Sequence, residues 1–211
     1  EDAEEVARNA EEQARAIRRQ LVIHAGPTNS GKTHAAMDAL QAAGGGVYLG
    51  PLRLLALEAR DALAGRGLSA DLVTGEERTR VPGSRFRAST VEVNATSPIV
   101  PAAVLDEGQL LADPDRGWAW TAAVLGLAAH EVHITGAPEM VPAIERLGAH
   151  VGDAVAIKHY ARKTPLGVAA KPVALDGLAR GDALIAFSRR EVMEWRSALV
   201  ARGWRVALVY G

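Results

Sequence analysis

The stretch AGPTNSGKTH, residues 25–34, contains the pattern G-x-x-x-x-G-K-[ST] from Gly26 to Thr33. An apolar segment precedes the pattern and a helix-forming segment follows it, which is the context that a phosphate-binding loop requires. Glycines let such a loop curl around an anion, and the amides at the start of the helix point at the phosphates. The pattern predicts that the phosphates of a nucleotide contact Gly26, Thr28, Asn29, Ser30, Gly31, Lys32 and Thr33.

A second pattern supplies the acidic groups that a phosphate-binding loop needs for hydrolysis. In PAAVLDEGQ, residues 101–109, Asp106 ends an apolar segment and is predicted to hold Mg²⁺ together with the hydroxyl of Thr33. Glu107 is predicted to polarise the attacking water, and Lys32 to reach the β and γ phosphates. The alternatives are two surface acids at a strand end and an ordinary turn between a strand and a helix.

The spacing of the two patterns narrows the class of nucleotide-binding protein. Asp106 follows Lys32 by 74 residues, with two further strand candidates between them, which favours an ATPase over a small-molecule kinase. The chain contains no N-K-x-D that would read guanine and no aspartate with a glycine three residues later. A GTPase is therefore not expected.

The composition limits the partners and the compartment. The 211 residues carry a net charge of −1, which excludes a protein that grips nucleic acid through global basicity but leaves room for a local basic groove. With no cysteine there is no disulfide partner. The sequence has neither a signal peptide nor an apolar run of about 18 residues, so no membrane partner is expected. We expect a bacterial-type cytoplasmic protein, with the mitochondrial matrix as the less favoured location.

Apolar and helix-forming segments alternate along the chain, and this alternation predicts an α/β fold with a parallel sheet between helices. An N-terminal helix is predicted within residues 1–20, because acids precede arginines as the helix dipole favours. The strands are predicted at 21–25, 46–50, 71–74, 102–106 and 131–135. The helices that follow them are predicted at 32–42, 53–64, 117–129 and 138–147.

The segment ARKTPLG, residues 161–167, combines charge, proline and glycine and is predicted to be a hinge after a first domain at 21–160. Residues 168–211 then offer too little apolar surface to fold as an independent parallel-sheet domain. We therefore expect the sequence to be a truncated piece of a longer protein. The elements predicted after the hinge are strands at 183–188 and 205–211 and a helix over about 189–202.

Several stretches together resemble the superfamily-two RNA helicases of the DExH type, most closely the suppressor-of-var-like family of the mitochondrial degradosome and its bacterial relatives. The resemblance implies a P-loop NTPase fold of two RecA-like lobes, with helices on both faces of each sheet, ATP between the lobes and RNA across both. Here the first lobe is complete and the second only begins. The stretches are GPTNSGKT (26–33), YLGPLRLLALE (48–58), LVTGEER (72–78), TVEV (90–93), VLDEGQ (104–109), DPDRGWAWT (113–121) and FSRRE (187–191).

The resemblance also implies roles for residues outside the phosphate loop. Gln109 would link the γ-phosphate site to the second lobe, and Thr135 would couple nucleotide state to the grip on RNA. The expected protein is an ATP-dependent RNA helicase in RNA turnover, with single-stranded or duplex RNA and an exoribonuclease as partners. Residues implied to contact the RNA backbone are Pro51, Arg53, Thr74, Gly75, Thr90 and Ser188.

Two alternatives stay open beside the helicase: another P-loop ATPase or kinase, and an inactive nucleotide- or RNA-binding fragment. For the loops at Thr74 and Thr90, plain connecting turns also stay open. Related helicases complete the ATP site with arginines late in the second lobe, and this sequence ends before them. Because such an arginine contributes about 10³ to 10⁵ in rate, residues 1–211 alone should hydrolyse ATP weakly or not at all.

Three weaker patterns complete the predictions. His130 and His133 lie three apart on a strand and point to opposite faces, which argues against a shared metal. Trp118 and Trp120 predict one indole packed inward and one at the surface. The arginines of residues 78–87 form either an RNA-phosphate patch or a solvated loop.

Overall fold

Parallel pairing of the predicted strands organises the larger part of the molecule. The structure, a computed structural model, describes residues 3–93 and 98–209. The chain divides into two compact units, Glu1–Pro165 and Leu166–Gly211. The strands of the first unit are β1 (Gln20–Ala25), β2 (Gly46–Gly50), β3 (Ala70–Val73), β4 (Arg78–Thr79), β5 (Phe86–Thr90), β6 (Val100–Leu105), β7 (Ala129–Gly136) and β8 (Ala154–His159).

These strands form one sheet in the order β4-β3-β5-β2-β6-β7-β1-β8. All neighbours pair in parallel except β4, which runs antiparallel to β3. The carboxyl ends of the parallel strands therefore meet at one edge of the sheet, and their loops meet there too. The helices of this unit are α1 (Ala3–Arg15), α2 (Lys32–Ala42), α3 (Arg53–Ala64), α4 (Gly117–Gly126) and α5 (Val141–Val151).

Helices cover both faces of the sheet, as predicted. Residues of α2 and α3, such as Leu40 and Leu63, pack with Leu72 and Val104 in one apolar cluster. Residues of α4 and α5 pack with the opposite faces of β1, β6 and β7 in a second cluster that contains Trp120. The two middle strands, β2 and β6, contribute side chains to both clusters because successive side chains point to opposite faces. This explains why the central strands are apolar along their whole length.

Element boundaries differ from the predictions where strand pairing overrides helix propensity. The N-terminal helix ends at Arg15 instead of residue 20, because Gln20 already pairs with Glu131 and Ala154. Likewise α4 ends at Gly126 instead of residue 129, because β7 begins at Ala129. Strand β5 was not predicted. Its sequence FRAST mixes polar and apolar residues although it lies in the sheet interior between β2 and β3.

The second unit contains α6 (Arg189–Ala201), close to the predicted helix. The predicted strands at 183–188 and 205–211 are not formed within the described residues, and residues 210–211 lie outside them. A strand needs hydrogen-bonded neighbours, and none of the described residues after 165 provides a paired one. The apolar side chains of Ile185 and Phe187 are accordingly 83% and 97% exposed.

A buried ion pair fastens the start of β1 to the helices behind the sheet. The guanidinium of Arg19 donates to both carboxylate oxygens of Asp153 and to the carbonyls of Val124 (3.0 Å) and Leu127 (2.8 Å). The Val124 carbonyl lies in the last turn of α4, where the helix itself offers no amide partner, and Leu127 directly follows the helix. Arg19 thus satisfies a helix end and a buried carboxylate with one side chain.

Replacing Arg19 with alanine should lower the free energy of unfolding by about 3 to 5 kcal/mol, because it leaves a buried carboxylate without a counter-charge. The exposed pair between Arg15 and Glu11 provides the matched control. Arg15→Ala should cost less than about 1 kcal/mol. Urea unfolding followed by circular dichroism measures both values, and equal losses in the two variants would contradict the role given to Arg19.

A chain of hydrogen bonds links Tyr160, which follows β8, to side chains of β1 and β7. The Tyr160 hydroxyl is 2.8 Å from Nδ1 of His24, whose Nε2 is 3.0 Å from Nδ1 of His133. Nε2 of His133 is 3.1 Å from the carboxylate of Glu131. Two neutral imidazoles satisfy every link if each residue donates to the next, from Tyr160 towards Glu131. Burial, with smaller effects from His133 and Lys158, lowers the pKa of His24 to about 4.

This network should make stability depend on pH. The unfolded chain protonates His24 near pH 6.5 but the folded chain only near pH 4, so stability should be lost as pH falls between these values. In His24→Leu, the urea midpoint should fall less steeply over this range than in the wild type. His34 is exposed on α2, so His34→Gln should keep the wild-type slope. A wild-type slope in His24→Leu would contradict the assignment.

Candidate nucleotide-binding site

The predicted phosphate loop lies between the end of β1 and the start of α2. Gly31 has φ of 86°, a left-handed conformation that favours glycine, and Asn29 also has positive φ at 56°. The amide of Gly26 donates to the carbonyl of Gly136 (3.0 Å) at the end of β7. The loop backbone is therefore curled and fixed to the neighbouring strand, while Thr28 and Asn29 are exposed.

Two polar side chains of this loop point inward. Lys32 is buried, and its Nζ donates to the carbonyl of Pro27 (3.1 Å), so the ammonium spans the loop. The hydroxyl of Ser30 is buried and has no hydrogen-bond partner among the described residues. Buried polar groups are normally paired, and a phosphate oxygen is a suitable partner for this hydroxyl. The loop therefore fits the phosphate chain of a nucleotide.

The carboxylate of Asp106, at the end of β6, gathers hydroxyl groups from three other elements. It accepts hydrogen bonds from Thr33 (3.3 Å), from Tyr48 (2.8 Å) and from Thr135. The amide of Glu107 also donates to it (3.0 Å). Thr33 and Asp106, predicted as the Mg²⁺ ligands, thus lie side by side. Their hydroxyl and carboxylate oxygens are the kind of ligand that Mg²⁺ prefers.

Tyr48 is a residue of this site that the sequence analysis missed. Burial and then the negative charge of Asp106 raise the pKa of Tyr48 well above its usual value, so its hydroxyl stays protonated and donates. Tyr48 stands in the quoted stretch YLGPLR, but nothing in that stretch predicts a hydrogen bond to a carboxylate 58 residues later.

Glu107 and Gln109 form the second half of the site. Glu107 has φ of 54°, an unusual conformation that turns its side chain out of the line of β6. Nε2 of Gln109 donates to the Glu107 carboxylate, and Oε1 of Gln109 accepts from the amide of Ala137 (3.0 Å). Gln109 therefore holds the carboxylate predicted to activate water and ties it to the loop after β7.

Five of the six residues implied to contact RNA, all except Ser188, lie at or just after the carboxyl ends of β2, β3 and β5, on the same edge of the sheet. Arg53 pairs with Glu77 (2.8 Å), and its hydrogen bond lowers the pKa of Glu77. Thr74 is buried, and its hydroxyl accepts from the amide of Glu77 (3.1 Å), which closes the turn. Gly75 is exposed, and Thr90 is partly exposed.

Ser188 lies in the second unit, at the start of α6. Its hydroxyl accepts from the amide of Glu191 (3.2 Å), and the Glu191 carboxylate accepts from the amide of Phe187 (3.2 Å). The first bond caps the helix, and the second ties the residue before the cap to the first turn, in a variant of the capping box. They give Ser188 a local role at the helix start.

The segment predicted as a hinge contributes contacts that the sequence did not indicate. The amide of Lys163 donates to the carbonyl of Asn29 (3.0 Å), and Arg162 donates to the hydroxyl of Thr28 (2.8 Å). The side chain of Lys163 also lies against Gly31. The start of this segment therefore rests on the phosphate loop.

The weaker patterns have clear positions. Trp120 is fully buried and Trp118 is 62% exposed, as predicted for the two indoles. His130 is exposed and His133 is buried. Arg87, predicted in a loop, lies in β5, where burial lowers its pKa. None of the helices within residues 3–93 and 98–209 is long and apolar enough to span a lipid bilayer.

Comparison with known proteins gives a consistent result. The model of the DEXQ-box helicase domain of Suv3 matches residues 8–160. ATP-dependent RNA helicase SUV3L, mitochondrial, of Oryza sativa subsp. japonica is 46% identical over 188 residues, which are 88% of this chain and 26% of that protein. ATP-dependent RNA helicase SUPV3L1, mitochondrial, of Homo sapiens is 41% identical over 203 residues, which are 94% of this chain and 26% of that protein.

The chain spans about a quarter of the length of the curated relatives it matches. Among solved structures, the helicase domain of Pyrococcus furiosus Hef superposes with a TM-score of 0.46 at 17% identity, over 74% of this chain and 37% of that chain.

These relatives are named as mitochondrial proteins, so the prediction of a cytoplasmic protein was wrong. That prediction took the cytoplasm as the default for a sequence without cysteine, and such a sequence fits any reducing compartment. The glutamine at position 109 agrees with the Q of the DEXQ box in the matching model, and the four residues of that box are Asp106 to Gln109. The chain belongs to the family of Suv3 DEXQ-box helicases.

Proposed function

We propose that this chain forms the nucleotide-binding part of an ATP-dependent RNA helicase, which hydrolyses ATP to translocate on or unwind RNA in RNA turnover. The observation that carries this proposal is the Asp106 carboxylate, held beside Thr33 of the phosphate loop and followed directly by Glu107. This arrangement supplies a phosphate cradle, a metal ligand pair and a general base within one sheet edge. Those are the parts that hydrolysis of a nucleoside triphosphate requires.

The proposed chemistry assigns one task to each group. Lys32 and the loop amides bind the β and γ phosphates, while Thr33 and Asp106 would hold Mg²⁺, which neutralises phosphate charge when bound. Glu107 accepts a proton from the attacking water as the oxygen of that water bonds to the γ phosphorus. The bond from that phosphorus to the bridging oxygen then breaks, and ADP leaves. Gln109 keeps the Glu107 carboxylate in position for this step.

RNA is the proposed partner at the other half of the same edge. Arg53, which follows β2, and Gly75, which follows β3, are exposed at this edge, which suits contact with phosphates without reading bases. We further propose that residues 161–167 are a hinge and that 168–211 begin a second RecA-like lobe, in which Ser188 contacts RNA. An exoribonuclease partner is proposed on the family resemblance alone.

Two substitutions test the nucleotide chemistry in the full-length protein. Lys32→Ala should weaken ATP binding about 10- to 100-fold, because a charge-assisted contact to phosphate is lost. Glu107→Gln should keep ATP binding but lower kcat about 10²- to 10⁴-fold, because the general base is lost. ATP hydrolysis with and without single-stranded RNA, and binding of a fluorescent ATP analogue, measure these effects.

Glu145 is an exposed acid on α5, so Glu145→Gln should retain wild-type turnover and serves as the control. Unchanged activity in Glu107→Gln, or a wild-type protein that RNA does not stimulate, would refute the proposal. Phosphate transfer to a small acceptor would instead support the kinase alternative.

A third substitution tests the role of Gln109. Gln109→Glu keeps the shape of the side chain but replaces the donor facing Glu107 with a second carboxylate. We expect kcat to fall about 10-fold or more, because a hydrogen bond to a charged group is lost. The affinity for ATP should stay unchanged. Gln13 is exposed on α1, so Gln13→Glu is the control. Wild-type kcat in Gln109→Glu would show that Gln109 does not position the base.

A further inference from the structure

The backbone of the turn before α4 is fixed by several specific contacts. One carboxylate oxygen of Asp113 accepts from the amides of Asp115 (2.9 Å) and Arg116 (2.8 Å). At Gly117, a side-chain Cβ would lie 2.4 Å from the carbonyl oxygen of Leu111, so only glycine fits. These constraints fix the backbone that carries Arg116. None of these residues has a task in the nucleotide chemistry above.

The side chain of Arg116 joins two loops of the RNA-facing edge. Its Nε donates to the carboxylate of Glu92 (2.8 Å), just after Thr90 at the end of β5. Its Nη2 donates to the same carboxylate and to the carbonyl of Pro51, directly after β2. The planar guanidinium reaches both partners at once, which a lysine ammonium on a flexible stem does less well.

The same side chain also touches the helix that contacts the metal site. The guanidinium carbon of Arg116 lies 5.5 Å from the ring centre of Trp120, one helical turn further along α4. The indole nitrogen of Trp120 donates to the main-chain carbonyl of Asp106 (3.0 Å). Contacts therefore run without a gap from Asp106 through Trp120 and Arg116 to Pro51 and Glu92.

We propose that Arg116 is a positioning residue that holds the loops at Pro51 and Thr90 in the geometry that binds RNA, at a fixed place relative to the Asp106 metal site. In this proposal Arg116 acts through the two loops that it joins. The two loops follow different strands. Without a bridge between them, their relative position is set only by the turn that each loop forms on its own. An arginine that bridges them reduces their freedom before RNA arrives, and preorganisation of this kind strengthens binding. The proposal rests on the proposed function.

Its test uses the full-length protein with the variants Arg116→Gln, Arg116→Lys and Glu92→Gln. Arg116→Gln should raise the RNA concentration for half-maximal stimulation of ATP hydrolysis about 10-fold, because two charge-assisted contacts are lost. Arg116→Lys should fall between Arg116→Gln and the wild type, because lysine retains the ion pair with Glu92. In all three variants, hydrolysis without RNA and the KM for ATP should stay close to wild type.

Arg146 is exposed on α5, and Arg146→Gln controls for the loss of one positive charge. Glu92→Gln keeps a hydrogen-bond acceptor and so tests the bridge if Arg116→Gln folds poorly. The inference is overturned if RNA half-saturation is unchanged in Arg116→Gln and Glu92→Gln, or if hydrolysis without RNA falls in parallel with stimulated hydrolysis. RNA stimulation absent from the wild type itself would instead sink the proposed function.

Discussion

A buried carboxylate is the constraint on which the rest of this sheet edge depends. Asp106 is 4% exposed, and a charge so far from water must be compensated by hydrogen bonds. Its donors come from the phosphate loop, from β2 and from β7, through the hydroxyls of Thr33, Tyr48 and Thr135. These donors can meet only if the strands that carry them end side by side. The strand order β2-β6-β7-β1 places them so.

The same strand order gives one edge two halves with different chemistry. The loops after β1, β6 and β7 carry the groups that suit a triphosphate, whereas the segments after β2 and β3 present the exposed residues Arg53 and Gly75. Strand β6 is the border, since its neighbours β2 and β7 belong to different halves. Asp106 ends this strand, and Trp120 holds its carbonyl from the helix side. A shift of β6 along its axis would therefore displace groups in both halves of the edge.

The sequence predicted those features of the site that depend on short, continuous segments of the chain. The phosphate loop, Asp106 and Glu107 could be found because each follows an apolar strand in a recognisable order. Contacts between distant segments gave no such signal, which is why Tyr48, Arg162 and Lys163 were missed. Strand β5 was not predicted because its sequence contains polar residues. It is buried by the strands on either side of it. The two strands predicted in the second unit are not formed within the described residues. An apolar segment becomes a strand only where another strand pairs with it.

The ion pair between Arg53 and Glu77 lies exposed at the half of the edge where RNA contact is proposed. Arg53 and Glu77 are 48% and 35% exposed, and water and dissolved salt weaken an ion pair in such a position. A phosphate group carries a full negative charge and accepts from a guanidinium with two oxygens, so it can displace Glu77 at little cost. In the proposed function, the pair keeps Arg53 oriented until an RNA phosphate binds. The hydroxyl of Thr74 already closes its own turn, so the exposed Gly75 would offer the phosphate contact in that loop.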